Sequence, residues 1–267
     1  MFDLSNCRFA FLDLETTGLS PWFGDRVCKV AVVLTEGKRI KATYQKLVDP
    51  CRPLSPAAAS TNRLTDAELR GQPLFADLAG ELENWLKDAV VVTHNARFDM
   101  QFLDSEFHRL GYQVQFPNLI DTLLLARQYF DLPSYTLPAL SEAFHVPPVE
   151  AHRALFDALT VKGLFFEMME ALKPAGKALD DVIGLYNSPV WPGDGIQLPT
   201  ELGEALESGK RIHITYVDGD GEQTRRWVTP VQVLGLSDYI YLKAFCHLRK
   251  AKRHFRLDRI IEMQVDA

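Results

Sequence analysis

Residues 8–15, RFAFLDLE, constrain this 267-residue chain more than any other stretch. The run is apolar on both of its alternating faces up to Leu12, so it reads as a strand buried within a sheet. It then ends in two acids, Asp13 and Glu15. Strand alternation points both carboxylates to one side, about 7 Å apart, while Leu14 turns the other way into packing. Two such acids at the end of an apolar strand repel each other and resist desolvation unless something cationic sits between them.

The pattern around this run predicts an α/β domain with a mixed sheet. Strands are expected at 8–14, 27–34 and 40–48, with Glu36-Gly37-Lys38 as the turn of a three-stranded meander. A short helix at 65–70 follows, capped by Thr65 with Glu68 completing a capping box. Helical spacing covers 75–88, the short apolar run AVVVT at 89–93 suits a buried strand, and helices are expected at 98–110, 120–130, 136–144 and 151–172. Between 173 and 199, Pro174, Pro189, Pro192 and Pro199 mix with Gly176, Gly193 and Gly195 around one short helical stretch near 177–186, which reads as a linker. Beyond it the chain alternates in short runs at 210–217, 223–229, 231–236, 239–246 and 253–264, with an Asp-Gly turn at 218–221. The expected domains are therefore 1–173, a linker at 174–202, and a small β domain at 203–267.

Composition narrows the function classes. A hydrophobic fraction of 47% and a charged fraction of 24% exclude collagen-like, coiled-coil and disordered chains. No apolar run is long enough to span a membrane, and residues 1–10 lack the basic start and cleavage site of a signal peptide. Cys7, Cys28, Cys51 and Cys246 include no CxxC pair and read as reduced thiols, so a cytoplasmic location is expected. The net charge of −6 is unevenly spread. Residues 203–267 hold 11 Lys/Arg and 9 Asp/Glu, leaving the first 202 residues at −8. An acidic body with a basic tail suits a body that gathers carboxylates and a tail that meets an anion.

Two further clusters accompany the strand-end acids. His94-Asn95-Ala96-Arg97-Phe98-Asp99 follows the buried strand 89–93, where the chain leaves the sheet for a helix; Asn95 can cap that helix. His152-Arg153-Ala154-Leu155-Phe156-Asp157 opens the last large helix. FLDLETTGLSP, HNARFD and HRALFD, in this order and spacing, closely resemble the DEDDh (DnaQ-like, proofreading-subunit-like) exonucleases, whose fold is ribonuclease H-like. TNRLTDAELRG, NLIDTLLLAR and SYTLPALSEAF support the resemblance, which covers residues 8–172.

The resemblance implies a 3′→5′ exonuclease that releases nucleoside 5′-monophosphates, with DNA favoured. It implies that Asp13, Glu15, Asp99 and Asp157 hold two divalent cations, Mg²⁺ or Mn²⁺, and that His152 is the general base. Four carboxylates carry a formal −4 that two dications would balance, and hard oxygen ligands suit these ions. Imidazole, with an ordinary pKa of about 6.5, can take a proton near neutral pH. By the same resemblance Thr16, Thr17 and Leu19 line the terminal nucleotide, with His94, Asn95 and Phe98 beside it; Phe98 or Phe102 offers a sequence-indifferent stacking surface. Where many relatives carry His-Gly, this chain has Thr61-Asn62-Arg63.

Residues 210–261 resemble the WYL domain, a small SH3/Sm-like β-barrel, through TPVQVLGLSDYIYLKAFCHLRKAKRHFRLDRI. Ile240 stands where Trp is usual. Arg249, Arg253 and Arg256 are the expected anion contacts, and Lys250, Lys252, His254, Arg256 and Asp258 would share one face of a single strand. The expected partner is a single-stranded 3′ end, with a polymerase or repair protein as a possible companion and no membrane. Two alternatives stand beside this reading. One is an RNA-trimming or oligoribonucleotide exonuclease; the other is a non-catalytic adaptor, which the full acid and base set disfavours.

Overall fold

The computed structural model describes residues 4–21, 24–111, 116, 118–147, 154–184, 198–218, 222–236 and 239–266. The chain forms two compact units, Met1–Thr17 with Val27–Pro189, and Gly18–Arg26 with Val190–Ala267.

In the first unit β1 (Arg8–Thr16), β2 (Val27–Glu36) and β3 (Arg39–Leu47) form the expected meander. Three helices follow: α1 (Pro56–Asn62), α2 (Asp66–Leu69) and α3 (Phe75–Leu86). The expected Thr65–Glu68 capping box opens α2. Then come β4 (Val90–Thr93), α4 (Ala96–Arg109), β5 (Leu119–Asp121), α5 (Thr122–Tyr129), α6 (Leu137–Ala143) and α7 (Ala154–Leu172). The sheet order is β3-β2-β1-β4-β5; the first two pairings are antiparallel and the last two parallel. This is the mixed sheet of a ribonuclease H-like fold. The segment 120–130, expected to be all helix, begins instead with β5. Its three residues pair in parallel with β4, and Asp121 ends the strand and caps α5 by accepting from the Leu123 amide at 2.9 Å.

Two apolar layers enclose the sheet. On one face Ala10, Leu12 and Leu14 of β1 pack with Leu82 of α3 and Phe102 of α4. On the other, Phe9 and Phe11 meet Phe165 and Phe166 of α7 at ring distances of 5.2 to 5.9 Å. On its flank α7 meets the segment that follows α6, where Gly163 leaves room for Val146: a Cβ at that position would come within 2.8 Å of the Val146 side chain. The alternation of β1 thus assigns Asp13 and Glu15 to the α7 face.

The second unit holds α8 (Thr200–Ser208) and strands β6 (Ile212–Val217), β7 (Gln223–Leu236), β8 (Tyr239–Cys246), β9 (Ala251–Arg256) and β10 (Ile260–Val265). They form one antiparallel sheet in the order β10-β6-β7-β8-β9, with no ladder between the edge strands β9 and β10 among the described residues. The runs 223–229 and 231–236 are one strand, not two. Pro230 sits at a register shift, where a residue without an N–H is tolerated. Ile212, Ile214, Val228, Leu242 and Phe255 build its core, covered by Leu202 and Ala205 of α8. That helix lies in and beyond what reads as linker. The Asp-Gly turn at 219–221 falls outside the described residues. No disulfide joins the four cysteines, and no described helix is long and apolar enough to cross a membrane.

Candidate active site at the sheet rim

Strands β1 and β4 run parallel, so their C-terminal ends reach the same rim. Asp13 and Glu15 arrive there from β1, Asp99 from the first turn of α4, and Asp157 from the first turn of α7. Carboxylate oxygens of Asp13, Glu15 and Asp157 lie within 4.8 Å of one another. Asp99 stands outside this trio, yet its charge acts on Asp13.

Burial and mutual repulsion make these acids reluctant to ionise. Desolvation, then the charges of Asp99, Glu15 and Asp157, raise Asp13 well above the usual carboxylate range. Glu15 is 8% exposed; burial and the Asp157 charge push its pKa up to about 7 against the opposing pull of Lys29. Its Oε1 is buried and has no hydrogen-bond partner among the described residues. Asp99, 3% exposed, is raised to about 7 by burial, although the Thr93 hydroxyl donates to its Oδ2 at 2.7 Å and the Leu14 amide also donates to it. An all-oxygen donor set, an orphaned buried carboxylate oxygen and suppressed acidity together fit a hard divalent cation.

The flanking residues divide. Asn95 is exposed and left-handed (φ 66°), and its side chain does not cap α4. The cap comes from Asp121, whose Oδ1 accepts from the Asn95 amide at 2.9 Å and Oδ2 from the Ala96 amide at 3.0 Å. Half-buried His94 shares a 3.0 Å hydrogen bond between Nδ1 and the Thr122 hydroxyl; burial lowers its pKa to about 4, which keeps it neutral at neutral pH. Phe98 is half-buried and packs at 4.9 Å on Phe102. Phe102 itself is fully buried in the core, so it supports Phe98 and cannot stack on a base. The side chains of Thr16 and Thr17 are buried, whereas Leu19 is 69% exposed. Asn62 reaches the same strand end, its Nδ2 donating to the Thr16 carbonyl at 2.9 Å. Arg63 then closes α1 in the left-handed conformation that Gly adopts without strain. His152 lies outside the described residues.

Residue patterns alone do not single out Thr93, Asp121 or Lys29. Thr93 ends a short apolar strand, and Asp121 lies in NLIDTLLLAR, a stretch that supports the resemblance without marking the residue's role. In the second unit the three expected arginines do not form one patch. Arg249 is in the β8–β9 turn, and Arg253 alternates with Phe255 on one face of β9. Arg256 alternates with Lys252 and His254 on the other and is ion-paired to Asp258 at 2.6 Å. Asp258 lies in a 3₁₀ turn after the strand, so the run 250–258 is not one continuous face.

Residues 10–165 match the exonuclease family model. The chain belongs to the exonuclease family. The resemblance to DEDDh exonucleases is borne out, as is the WYL likeness, since residues 197–265 match the WYL domain model. Among relatives of this chain, the PolC-type DNA polymerase III of Caldanaerobacter subterraneus is 34% identical over 170 residues, 63% of this chain and 12% of the polymerase. That of Staphylococcus haemolyticus is 30% identical over 175 residues, 65% of this chain and 12% of the polymerase. The chain thus spans about an eighth of the length of these relatives. Among solved structures, Exonuclease X in complex with 5′ overhanging duplex DNA is 25% identical, with a TM-score of 0.52 over 67% of this chain and 98% of that one. The nuclease domain of 3′hExo, a DEDDh family member bound to rAMP, shares the fold at 18% identity, with a TM-score of 0.56 over 64% and 95% of the two chains.

Proposed function

We propose that the chain hydrolyses nucleic acid from the 3′ end, DNA in preference to RNA, and releases nucleoside 5′-monophosphates. The observation that carries this reading is the convergence of Asp13, Glu15 and Asp157 to within 4.8 Å, with Asp99 beside them. These four residues would hold two divalent cations, Mg²⁺ or Mn²⁺. When bound, the ions supply the positive charge that clamps a phosphodiester and steadies the attacking and leaving oxygens.

The chain's own groups do the rest. The Leu14 amide and the Thr93 hydroxyl fix Asp99, while Asp121 fixes the helix start that carries it. Phe98 offers its ring to the terminal base, and the backbone of Thr16 and Thr17 lines the terminal nucleotide. His152 accepts the proton of the attacking water as the new P–O bond forms and the bond from phosphorus to the 3′ oxygen of the preceding nucleotide breaks. The DNA preference draws on the PolC-type relatives and on the likeness to Exonuclease X, solved with duplex DNA. A polymerase or repair protein is the proposed companion. The second unit is read as a WYL-like nucleic-acid grip. Its sheet would curl toward an SH3/Sm-like barrel, a reading supported by its single core and by the register shift at Pro230 within the long β7.

Digestion of end-labelled single-stranded DNA, duplex DNA and RNA with Mg²⁺, Mn²⁺ or EDTA tests the proposal. Mononucleotides should appear from the 3′ end only when a dication is present. Persistent cleavage in EDTA, or release from the 5′ end, would refute it, and faster loss of RNA would reverse the substrate preference.

A further inference from the structure

Strand β2 brings one cation to the acidic rim. Lys29 is the cross-strand partner of Glu15 in the β1–β2 ladder. Val33 of β2 packs on the α7 face and Val30 and Val32 on the other, so alternation places Lys29 on the same face as Asp13, Glu15 and the helix that bears Asp157. The lysine is only 9% exposed, a burial that this side chain rarely tolerates without an opposing charge. Its other cross-strand partner is Leu47, and the partner of Asp13 is Ala31, so the nearest opposite charges it meets on these strands are the rim acids. Its charge also opposes the upward shift of both Asp13 and Glu15.

We infer that Lys29 is a positioning residue that serves as a built-in counter-ion of the acidic rim, holding the carboxylates together without metal and loosening the grip on dications. The inference rests on reading those acids as metal ligands. Four carboxylates alone carry a formal −4, which two dications would cancel. With Lys29 the loaded rim keeps one positive charge in excess, and that excess faces an anionic phosphodiester. The same charge repels an incoming dication, so the site trades affinity for metal against attraction for substrate and a rim that stays assembled when empty.

Mn²⁺ binding to the full chain, followed by the paramagnetic resonance of unbound Mn²⁺, tests this alongside melting temperature in EDTA. Lys29→Met should bind the first Mn²⁺ about tenfold more tightly, as expected for removing a unit charge several ångströms from a dication in a partly hydrated site. It should also melt several degrees lower in EDTA, with the gap closing as Mn²⁺ is added. Lys29→Arg should match the wild type in both. A merely structural lysine would give the opposite affinity change, because a loosened rim binds metal more weakly. If Lys29→Met fails to fold, Lys29→Gln removes the charge while keeping a polar end. Folded Met or Gln variants that bind Mn²⁺ no more tightly than wild type would overturn the inference alone. No saturable Mn²⁺ binding by the wild type would overturn the metal reading and this inference with it.

Discussion

Glu15→Gln should stabilise the metal-free protein at alkaline pH while abolishing hydrolysis. Glu15 is buried beside Asp157, and its pKa is pushed from an ordinary 4.5 up to about 7. A carboxyl that keeps its proton longer in the folded state favours folding below pH about 4.5, and that contribution is lost as pH rises through about 7. Each pH unit of delay is worth about 1.4 kcal/mol. Above pH 7, ionised Glu15 should therefore cost the fold about 3 kcal/mol, which Gln, of nearly the same shape, does not. The assay is urea unfolding in EDTA at pH 4.5, 6 and 8, reading the transition of the first unit in wild type and variant. Comparing the two cancels His94, whose pKa is depressed to about 4 and which makes stability rise with pH between that value and its ordinary 6.5. The variant's advantage should be near zero at pH 4.5 and grow to about 3 kcal/mol at pH 8. Saturating Mg²⁺ should reverse it, because only the wild type gains from the ion. A variant no more stable than wild type at pH 8 in EDTA would refute the electrostatic account of the rim.

Asp13→Asn and Asp157→Asn should each remove nuclease activity with an unchanged circular dichroism spectrum; near-wild-type turnover would overturn the ligand assignment. His152→Ala should slow single-turnover hydrolysis by roughly 10²–10⁴-fold with Mn²⁺ binding retained, the usual worth of a general base. Asp121→Ala removes a buried acceptor of three backbone amides and should cost about 2–4 kcal/mol in urea unfolding, with kcat reduced more than KM through Asp99. Replacing Arg249 and Arg253 with Ala should flatten the dependence of single-strand affinity on salt, by about 0.7 in log–log slope for each phosphate these arginines neutralise.

The alternation of β1 is readable because every residue from Phe9 to Leu14 obeys it, and it places the first two acids on one side. That Asp99 and Asp157 join them depends on β4 lying parallel to β1 and α7 crossing the same face, which no local pattern encodes. Helix α1 is invisible to apolar periodicity: its sequence, PAAASTN, is small and polar, and its start is set by the Ser55 cap. Strand β5 is three residues long and merges with the helix that follows. Phe98 and Phe102 are legible as a helical pair, but which ring faces outward is decided by how α4 packs on the sheet. Lys29 hides inside VCKVAVV, where one charge in an apolar run resembles an edge residue. Only the ladder reveals that it stands opposite Glu15.

The carboxylate of Asp121 has a consequence for how an anion can be gripped here. A helix beginning beside a reaction centre is ordinarily a place where a phosphate can nestle against bare amides. At the start of α4 the Asn95 and Ala96 amides are already plugged by a negative side chain of the protein itself. Those two amides are thereby spoken for, so positive charge brought from elsewhere carries more of the task of holding a nucleotide at this edge.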